Sequence, residues 1–168
     1  ATFFPALMTK RGIDLGGEFR YMENDYGGTL RANYMPGDRL RDRDRWAYAI
    51  KHDGLVHTGL APIGGIGVNL NLNRVSDDNY WRDGLRGADN LTPRLLGTRA
   101  QTMYASSSRL WGADIDQTLY ARLQRWQVLQ GSDRSVVSPY ERVPQVGARW
   151  SADNAGGGSP SDATHVLK

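Results

Sequence analysis

The feature that most constrains the fold of this 168-residue chain is a strict alternation of apolar and polar residues. Between Ile66 and Asn73, every second residue is Ile, Val or Leu, and the residues between them are one Gly and three Asn. A period of two places these sets on opposite faces of a β-strand, whereas a helix would scatter the Asn side chains around its circumference. This segment is therefore predicted to be a strand with one oily and one polar face.

The same alternation recurs along the chain, and helical periodicity is scarce. Turn-rich segments separate the alternating segments, and apolar residues change face near Arg125, where a β-bulge is predicted. Together these patterns predict an all-β fold, an antiparallel up-and-down meander of about eight strands. The predicted strands include residues 13–22, 29–35, 46–52, 66–73, 95–106, 115–124 and 145–150.

Composition is compatible with a membrane wall as well as with a soluble sheet. Hydrophobic residues make up 39% of the chain, and no segment approaches the roughly 20 apolar residues of a membrane-spanning helix. A transmembrane barrel is also polar on average, because only every second strand residue meets lipid. The predicted strands have about eight to twelve residues, close to the length of about 9–11 that a tilted membrane strand needs.

The Asn row opposite Ile, Val and Leu suits a hydrated lumen on one side and lipid on the other. A soluble sandwich more often has charged residues on its outer face, so we predict part of an outer-membrane β-barrel. The lumen-facing candidates are Glu18, Arg20, Arg31, Asn69, Asn71, Asn73, Arg122 and Gln124. The lipid-facing candidates are Trp46, Tyr48, Ile50, Ile66, Val68, Leu70 and Leu72. From the alternation alone, a porin-like channel and a soluble β-sandwich binding module remain alternatives.

No catalytic or metal-binding pattern is visible in the sequence. The chain has no Cys, which excludes disulfides, thiolate metal sites and Cys nucleophiles. The three His lack metal-ligand spacing, and 21 basic against 18 acidic residues is too balanced for a dedicated nucleic-acid binder. We therefore predict a protein that is not an enzyme and that has no cofactor, no metal and no nucleic-acid partner.

Two charged segments can be interpreted either as ordinary polar loops or as specific binding sites. The segment from Asp38 to Arg45 alternates Asp and Arg and is interpreted as a solvated, self-paired loop rather than a lipid-phosphate patch. The segment from Asp77 to Asp83 does not fit the ligand spacing of a calcium loop. We interpret it as a polar loop held by Arg–Asp pairs and buried aromatic residues.

Several stretches resemble, in order and spacing, those of the LptD family of lipopolysaccharide-assembly proteins, also called OstA or Imp. The most specific is the string Asn73, Arg74, Val75, Ser76, Asp77, Asp78, Asn79 and Tyr80, which continues to Asp83. The others are Phe3–Gly12, Gly16–Tyr21, Tyr34–Arg39 followed by Asp44–Trp46, and Pro139–Val146, where the family usually has Leu at the position of Val143.

The resemblance implies a protein with a periplasmic N-terminal jellyroll and a C-terminal barrel of about 26 strands. In this family the barrel encloses the plug lipoprotein LptE, and the jellyroll receives lipopolysaccharide from the periplasmic bridge protein LptA. Lipopolysaccharide then leaves sideways between the first and last strands into the outer leaflet. The resemblance therefore implies that residues 1–168 form a partial arc of this large transmembrane β-barrel. They are expected to be part of the one barrel domain, roughly its second to ninth strands, without the jellyroll and the remaining strands.

Pro5 matches a strand proline near the lateral gate of the family. Proline cannot donate a ladder hydrogen bond, so it weakens pairing with a neighbouring strand and suits a wall that opens there. The alternative is an edge-strand proline without a role in gating.

Overall fold

The computed structural model describes residues 1–57, 59, 65–80, 95–129, 141–154 and 163–165. Within these ranges all regular secondary structure is β-strand. The strands are β1 (Thr2–Met8), β2 (Gly12–Met22), β3 (Tyr26–Asp38), β4 (Arg43–Val56), β5 (Ile66–Val75), β6 (Leu95–Leu110), β7 (Ala113–Val128), β8 (Arg142–Asn154) and β9 (Ala163–His165). They form a single sheet in chain order, and each strand is antiparallel to the next.

The predicted all-β meander of about eight strands is confirmed. Eight strands have between 7 and 16 residues, and the ninth has three. β1 and β9 lie at opposite edges, so the sheet is open and is not closed into a barrel. Trp81–Asp83 and Pro139–Tyr140 of the family-like stretches lie outside the described residues.

An antiparallel meander sorts its connections between two ends of the sheet. The β1–β2, β3–β4, β5–β6 and β7–β8 connections lie at one end, which we name the first end. The remaining connections lie at the second end. Residues far apart in the sequence, such as Arg11, Arg45 and Asp77, therefore meet at the first end.

Two irregularities in the sheet coincide with prolines. Between the pairs Met35–Arg45 and Asp38–Arg43, β3 has two residues, Pro36 and Gly37, where β4 has one. Gly37 has a φ of 54°, in the left-handed region that glycine adopts without strain. This bulge shifts the alternation by one residue, so Asp38 comes to lie on the same face as Arg45.

The second irregularity lies between Arg122 and Gln124, where β8 contributes Val143 and Pro144 opposite the single residue Leu123. Proline cannot donate to the ladder and is tolerated at a bulge. The switch of face predicted within β7 near Arg125 is not found, and the bulge belongs to β8 instead. It affects only the β7–β8 pairing, because β7 keeps its register with β6 through Val128.

Strands β5 and β6 separate towards the first end. Their backbone pairing ends at Asn71 and Arg99, although β5 continues to Val75. Side chains bridge the separation: Asn73 Nδ2 donates to Gly97 O at 3.0 Å, and Thr98 Oγ1 donates to Asn73 O at 3.1 Å. The sheet therefore stays connected here through side chains rather than through a backbone ladder.

Gln127 on β7 completes this connection. Its Nε2 donates to Val75 O at 2.9 Å, and its Oε1 accepts from Val75 N at 3.1 Å. One carboxamide thus satisfies both backbone groups of Val75, as a residue of a neighbouring strand would.

The start of β6 and the end of β7 fold over β4 and β5. Leu96 and Gln127 are cross-strand partners, and by alternation both would lie on the same face of the sheet as Ala100 and Leu123. Leu96 nevertheless belongs to a buried apolar cluster with residues from the other face of β4 and β5. The members of this cluster are Ala47, Val75, Tyr80, Leu96 and Leu129.

We predict that Gln127→Glu weakens the connection between β5 and β7. A carboxylate keeps the acceptor for Val75 N but loses the donor to Val75 O, and an unsatisfied buried carbonyl costs about 1–3 kcal/mol. Hydrogen exchange in a full-length protein containing this chain should become faster at residues 73–76. Gln124→Glu on the same strand is the matched control, and equal exchange in the two variants would contradict this role for Gln127.

Candidate functional site

The strand register places all eight predicted lumen-facing residues on one face of the sheet, which we name the polar face. Glu18 pairs with Arg31, and Asn69, Asn71 and Asn73 alternate along β5. Cross-strand pairs place the remaining members on the same face as these Asn residues. Arg20 is linked to Asn71 through Thr29 and Lys51, Arg122 to Asn69 through Gln101, and Gln124 to Asn71 through Arg99.

The seven predicted lipid-facing residues share the opposite face, which we name the apolar face. Ile50 pairs with Leu72, and Ile66, Val68 and Leu70 occupy alternate positions of β5. Trp46 and Tyr48 lie four and two positions before Ile50 on the same strand. The two faces are thus as the alternation predicted, while their assignment to lumen and lipid stays a prediction.

The two faces differ in exposure in the direction that a curved wall requires. On the polar face Asn33 is 3% and Asn73 8% exposed, whereas on the apolar face Phe19 is 49% and Tyr34 43% exposed. In a one-layer sheet, curvature brings together the side chains on the concave side. We infer that the sheet curves towards its polar face and presents its large apolar side chains outwards, as a barrel wall does.

Polar side chains on the polar face hydrogen-bond to one another. Glu18 pairs with Arg20 and with Arg31, and Asn69 Nδ2 donates to Asp53 Oδ1 at 2.7 Å. Arg122 Nη2 donates to Gln101 Oε1 at 2.9 Å. The pattern fits a surface that meets water and polar ligands rather than hydrocarbon.

Aromatic residues on the apolar face gather near both ends of the strands. Trp46 and Tyr48 stack at 5.8 Å near the first end. Tyr21 and His52 lie towards the second end, where Tyr21 Oη and His52 Nδ1 are 2.7 Å apart. Two aromatic groups separated by Leu30, Ile50 and Leu72 match the aromatic girdles at the two interfaces of an outer-membrane barrel.

At the first end, a buried charged cluster of Arg11, Asp38, Arg45 and Asp77 joins several connections. The guanidinium of Arg45 donates to Asp77 at 2.8 and 3.0 Å and to Asp38 Oδ2 at 3.2 Å, and its side chain is fully buried. Arg11 from the β1–β2 turn reaches Asp38 Oδ2 at 2.6 Å. Tyr80, 3% exposed, lies with its ring centroid 5.2 Å from the Arg45 guanidinium carbon.

Local turns hold the two carboxylates in place. Asp77 Oδ1 accepts from Asn79 N at 3.1 Å and Oδ2 from Ser76 Oγ at 2.9 Å, while Asp38 Oδ1 accepts from Leu40 N at 3.0 Å. Such short-range bonds are the reason Asp is favoured in turns. Each carboxylate is therefore held by its own turn as well as by Arg45.

The environment of the cluster shifts the pKa of two groups that lie outside the strands. Burial alone would raise the pKa of Asp77, but the Arg45 and Ser76 hydrogen bonds outweigh it and lower that pKa. Burial raises the pKa of the Tyr80 phenol, with a further contribution from the charge of Asp14. Asp77 is therefore ionised and Tyr80 neutral across the physiological pH range.

The prediction for the segment from Asp38 to Arg45 was wrong at both of its ends. Asp38 and Arg45 do pair with one another, but both are 0% exposed instead of solvated. The connection is also shorter than expected, because β3 continues to Asp38 and β4 begins at Arg43. The prediction for the start of the 77–83 segment, an Arg–Asp pair with a buried aromatic residue, is confirmed by Asp77, Arg45 and Tyr80.

Sequence reasoning missed that the family-like stretches converge in this cluster. Phe3–Gly12 supplies Arg11, Tyr34–Arg39 supplies Asp38, and Asp44–Trp46 supplies Arg45. The string from Asn73 to Tyr80 supplies Asp77, the cation–π partner Tyr80, and the bridging residue Asn73. The predicted meander topology could have indicated this convergence, because the odd-numbered connections of a meander lie at the same end of the sheet.

Within the described ranges, no helix could cross a membrane, and no group of three or more His, Cys, Asp or Glu side chains could hold a metal ion.

A one-layer antiparallel meander with a polar concave face and an aromatic-edged apolar face has the architecture of an outer-membrane β-barrel wall. Residues 43–165 match the family model described as LPS transport system D, LptD. The chain belongs to the LptD family, whose members are outer-membrane proteins and are not enzymes.

Several relatives carry the name LPS-assembly protein LptD. The chain is 50% identical to that of Polaromonas sp. over 155 residues, which are 92% of this chain and 18% of the relative. It is 49% identical to that of Paracidovorax citrulli over 150 residues, 87% of this chain and 17% of the relative. The protein of Cupriavidus necator is 38% identical over 156 residues, 93% and 17% of the two chains. The chain thus spans less than a fifth of the length of these relatives.

We predict that Arg45→Leu in a full-length protein containing this chain lowers the free energy of unfolding by about 3–5 kcal/mol, because it removes the cation that binds Asp77 and leaves Asp38 with Arg11 alone. Arg43→Leu, an exposed position on the same strand, is the control. Denaturant unfolding of both variants measures the difference, and equal losses would contradict the role of Arg45.

The same cluster predicts a dependence on pH. Because the folded pKa of Asp77 is lowered, its contribution is complete above the unfolded carboxyl pKa of about 3.9 and is lost as pH falls through the folded value. Asp77→Asn should therefore reduce the loss of stability between pH 5 and pH 2, in titrations compared with Asp78→Asn. Identical pH profiles of the two variants would show that Asp77 has no such role.

Proposed function

We propose that this chain forms part of the wall of an outer-membrane translocon that inserts lipopolysaccharide into the outer leaflet through a lateral gate. The observation that carries the proposal is a single-layer sheet with one polar and one apolar face in a member of the LptD family. Such a wall supports translocation without covalent chemistry. The polar face offers hydrogen bonds to the sugar and phosphate part of the lipid, while acyl chains travel in an apolar environment.

The proposed partners follow from the family. The polar face would surround the plug lipoprotein LptE, and LptA would deliver lipopolysaccharide through a jellyroll outside this chain. The apolar face would contact outer-membrane lipid.

Pro5 supports a gate near β1. It lies in β1, pairs with Leu15 and is exposed. Because Pro5 has no N–H, the wall loses one potential ladder bond at this position. A weaker ladder beside the gate would lower the free energy of opening it for a large amphiphile.

We predict that Leu72→Lys and Asn69→Lys have opposite outcomes in a full-length protein containing this chain. Leu72 pairs with Ile50 in the apolar row between the two aromatic groups, and Lys on the lipid side near the bilayer midplane costs about 2–4 kcal/mol, whereas Lys in the lumen is tolerated. The amount of heat-modifiable barrel in the outer membrane and the lipopolysaccharide on the cell surface should fall for Leu72→Lys only. Equal tolerance of both changes would argue against lumen and lipid as the two environments.

We predict that Pro5→Ala in the intact protein strengthens the gate and slows lipopolysaccharide export. One restored ladder hydrogen bond is worth about 0.5–1.5 kcal/mol, or up to about tenfold in the open population. Pro144→Ala at the β7–β8 bulge is the matched control. Unchanged arrival of newly made lipopolysaccharide at the surface in Pro5→Ala would remove the gating role.

A further inference from the structure

A row of hydrogen-bond donors crosses five strands of the polar face at one height. Successive cross-strand pairs join Arg20 to Thr29, Thr29 to Lys51, Lys51 to Asn71 and Asn71 to Arg99. We name these five residues the cationic row. Three of them are cations on alternate strands, separated by about 10 Å, and a hydroxyl or an amide lies between each two.

The row contains no carboxylate, and the neighbouring acids are occupied. Glu18, one row closer to the first end, pairs with Arg20 and Arg31. Asp53, one row closer to the second end, accepts a hydrogen bond from Asn69. Among the described residues, the side chains of Lys51 and Arg99 have no hydrogen-bond or ion-pair partner. Of the three cations in the row only Arg20 is ion-paired, so the row keeps positive charge at Lys51 and Arg99.

Part of the row borders a cavity. A depression of about 250 Å³ is lined by Arg20, Thr29, Arg31, Ala49 and Lys51. The short side chains of Thr29 and Ala49 form its floor between three long cationic side chains. It can hold a small oxyanion with a guanidinium on one side and an ammonium on the other.

We propose that the cationic row binds phosphate groups of lipopolysaccharide as its polar part passes along the polar face. This inference rests on the proposed function, since it names the ligand chemistry of that face. Phosphate is favoured because Arg donates two parallel hydrogen bonds to an oxyanion and Lys contributes a mobile point charge. Several cations at one height can hold successive phosphates, so the row would retain the lipid at a fixed depth before release.

Neutralising the row tests the proposal. The variant Arg20→Gln, Lys51→Gln and Arg99→Gln is made in a full-length protein containing this chain, purified in complex with its plug. The control, Lys10→Gln, Arg39→Gln and Arg43→Gln, removes the same charge from connections and a strand start at the first end. Folded amount is measured first by heat-modifiability, and single Lys51→Gln and Lys51→Arg variants serve if the triple variant does not fold.

Binding of lipopolysaccharide and of chemically dephosphorylated lipopolysaccharide is then compared. We expect the row variant to lose at least about tenfold in affinity for the phosphorylated lipid, because charge-assisted hydrogen bonds are lost. We expect no loss for the dephosphorylated lipid, a weaker dependence on salt, and retention of affinity in Lys51→Arg. Inorganic phosphate should compete only weakly, which distinguishes lipid-borne phosphate from free phosphate as the ligand.

Three results would overturn the inference. One is equal affinity of the row and control variants for the phosphorylated lipid, and another is competition by inorganic phosphate as effective as that by the lipid. The third is loss of the plug from the row variant with lipid binding intact, which would assign the row to an acidic protein partner. If the unsubstituted protein itself fails to bind lipopolysaccharide, the proposed function fails, and the two failures are distinct.

Discussion

The fully buried guanidinium of Arg45, held between Asp38 and Asp77, is the interaction on which the first end of the sheet depends. An unpaired charge in such a position would be strongly destabilising, so all three groups must be in place together. Asp38 ends β3, Arg45 lies near the start of β4, and Asp77 follows β5, while Arg11 adds the β1–β2 turn. One polar cluster therefore fixes the relative positions of five consecutive strands where the backbone ladder ends.

The cluster lies beside the place where β5 and β6 separate, and the two features are connected through the string from Asn73 to Tyr80. Asn73 bridges to β6, Val75 is bound by Gln127, Asp77 binds Arg45, and Tyr80 packs in the apolar cluster. A continuous backbone ladder would keep β6 beside β5 in the same sheet over the whole length of β5. Side-chain bridges instead let the β6–β7 pair fold over the polar face, which gives the wall a bend that uniform strand pairing does not provide.

Much of this fold could be predicted because alternation is a local property. Ile66 to Asn73 shows both faces of β5 without reference to any other strand, and the other strands follow the same rule. Asp38 could not be predicted in the same way, because its place beside Arg45 depends on the Pro36–Gly37 bulge that shifts the alternation by one residue. Nor could the burial of Leu96 with Val75, since it depends on where the β5–β6 ladder ends.

The sequence by itself determined the strand faces, the meander and the family, because each rests on period-two patterning or on contiguous residue strings. Only the tertiary structure decided which charges meet, since Arg11, Asp38, Arg45 and Asp77 are brought together by strand register and by a bulge. It likewise decided that Arg20, Lys51 and Arg99 form one row, because a cross-strand row exists only after every register in between is fixed. The faces of a single strand are determined by its own residues, whereas contacts between distant strands depend on the register of every strand pair that lies between them.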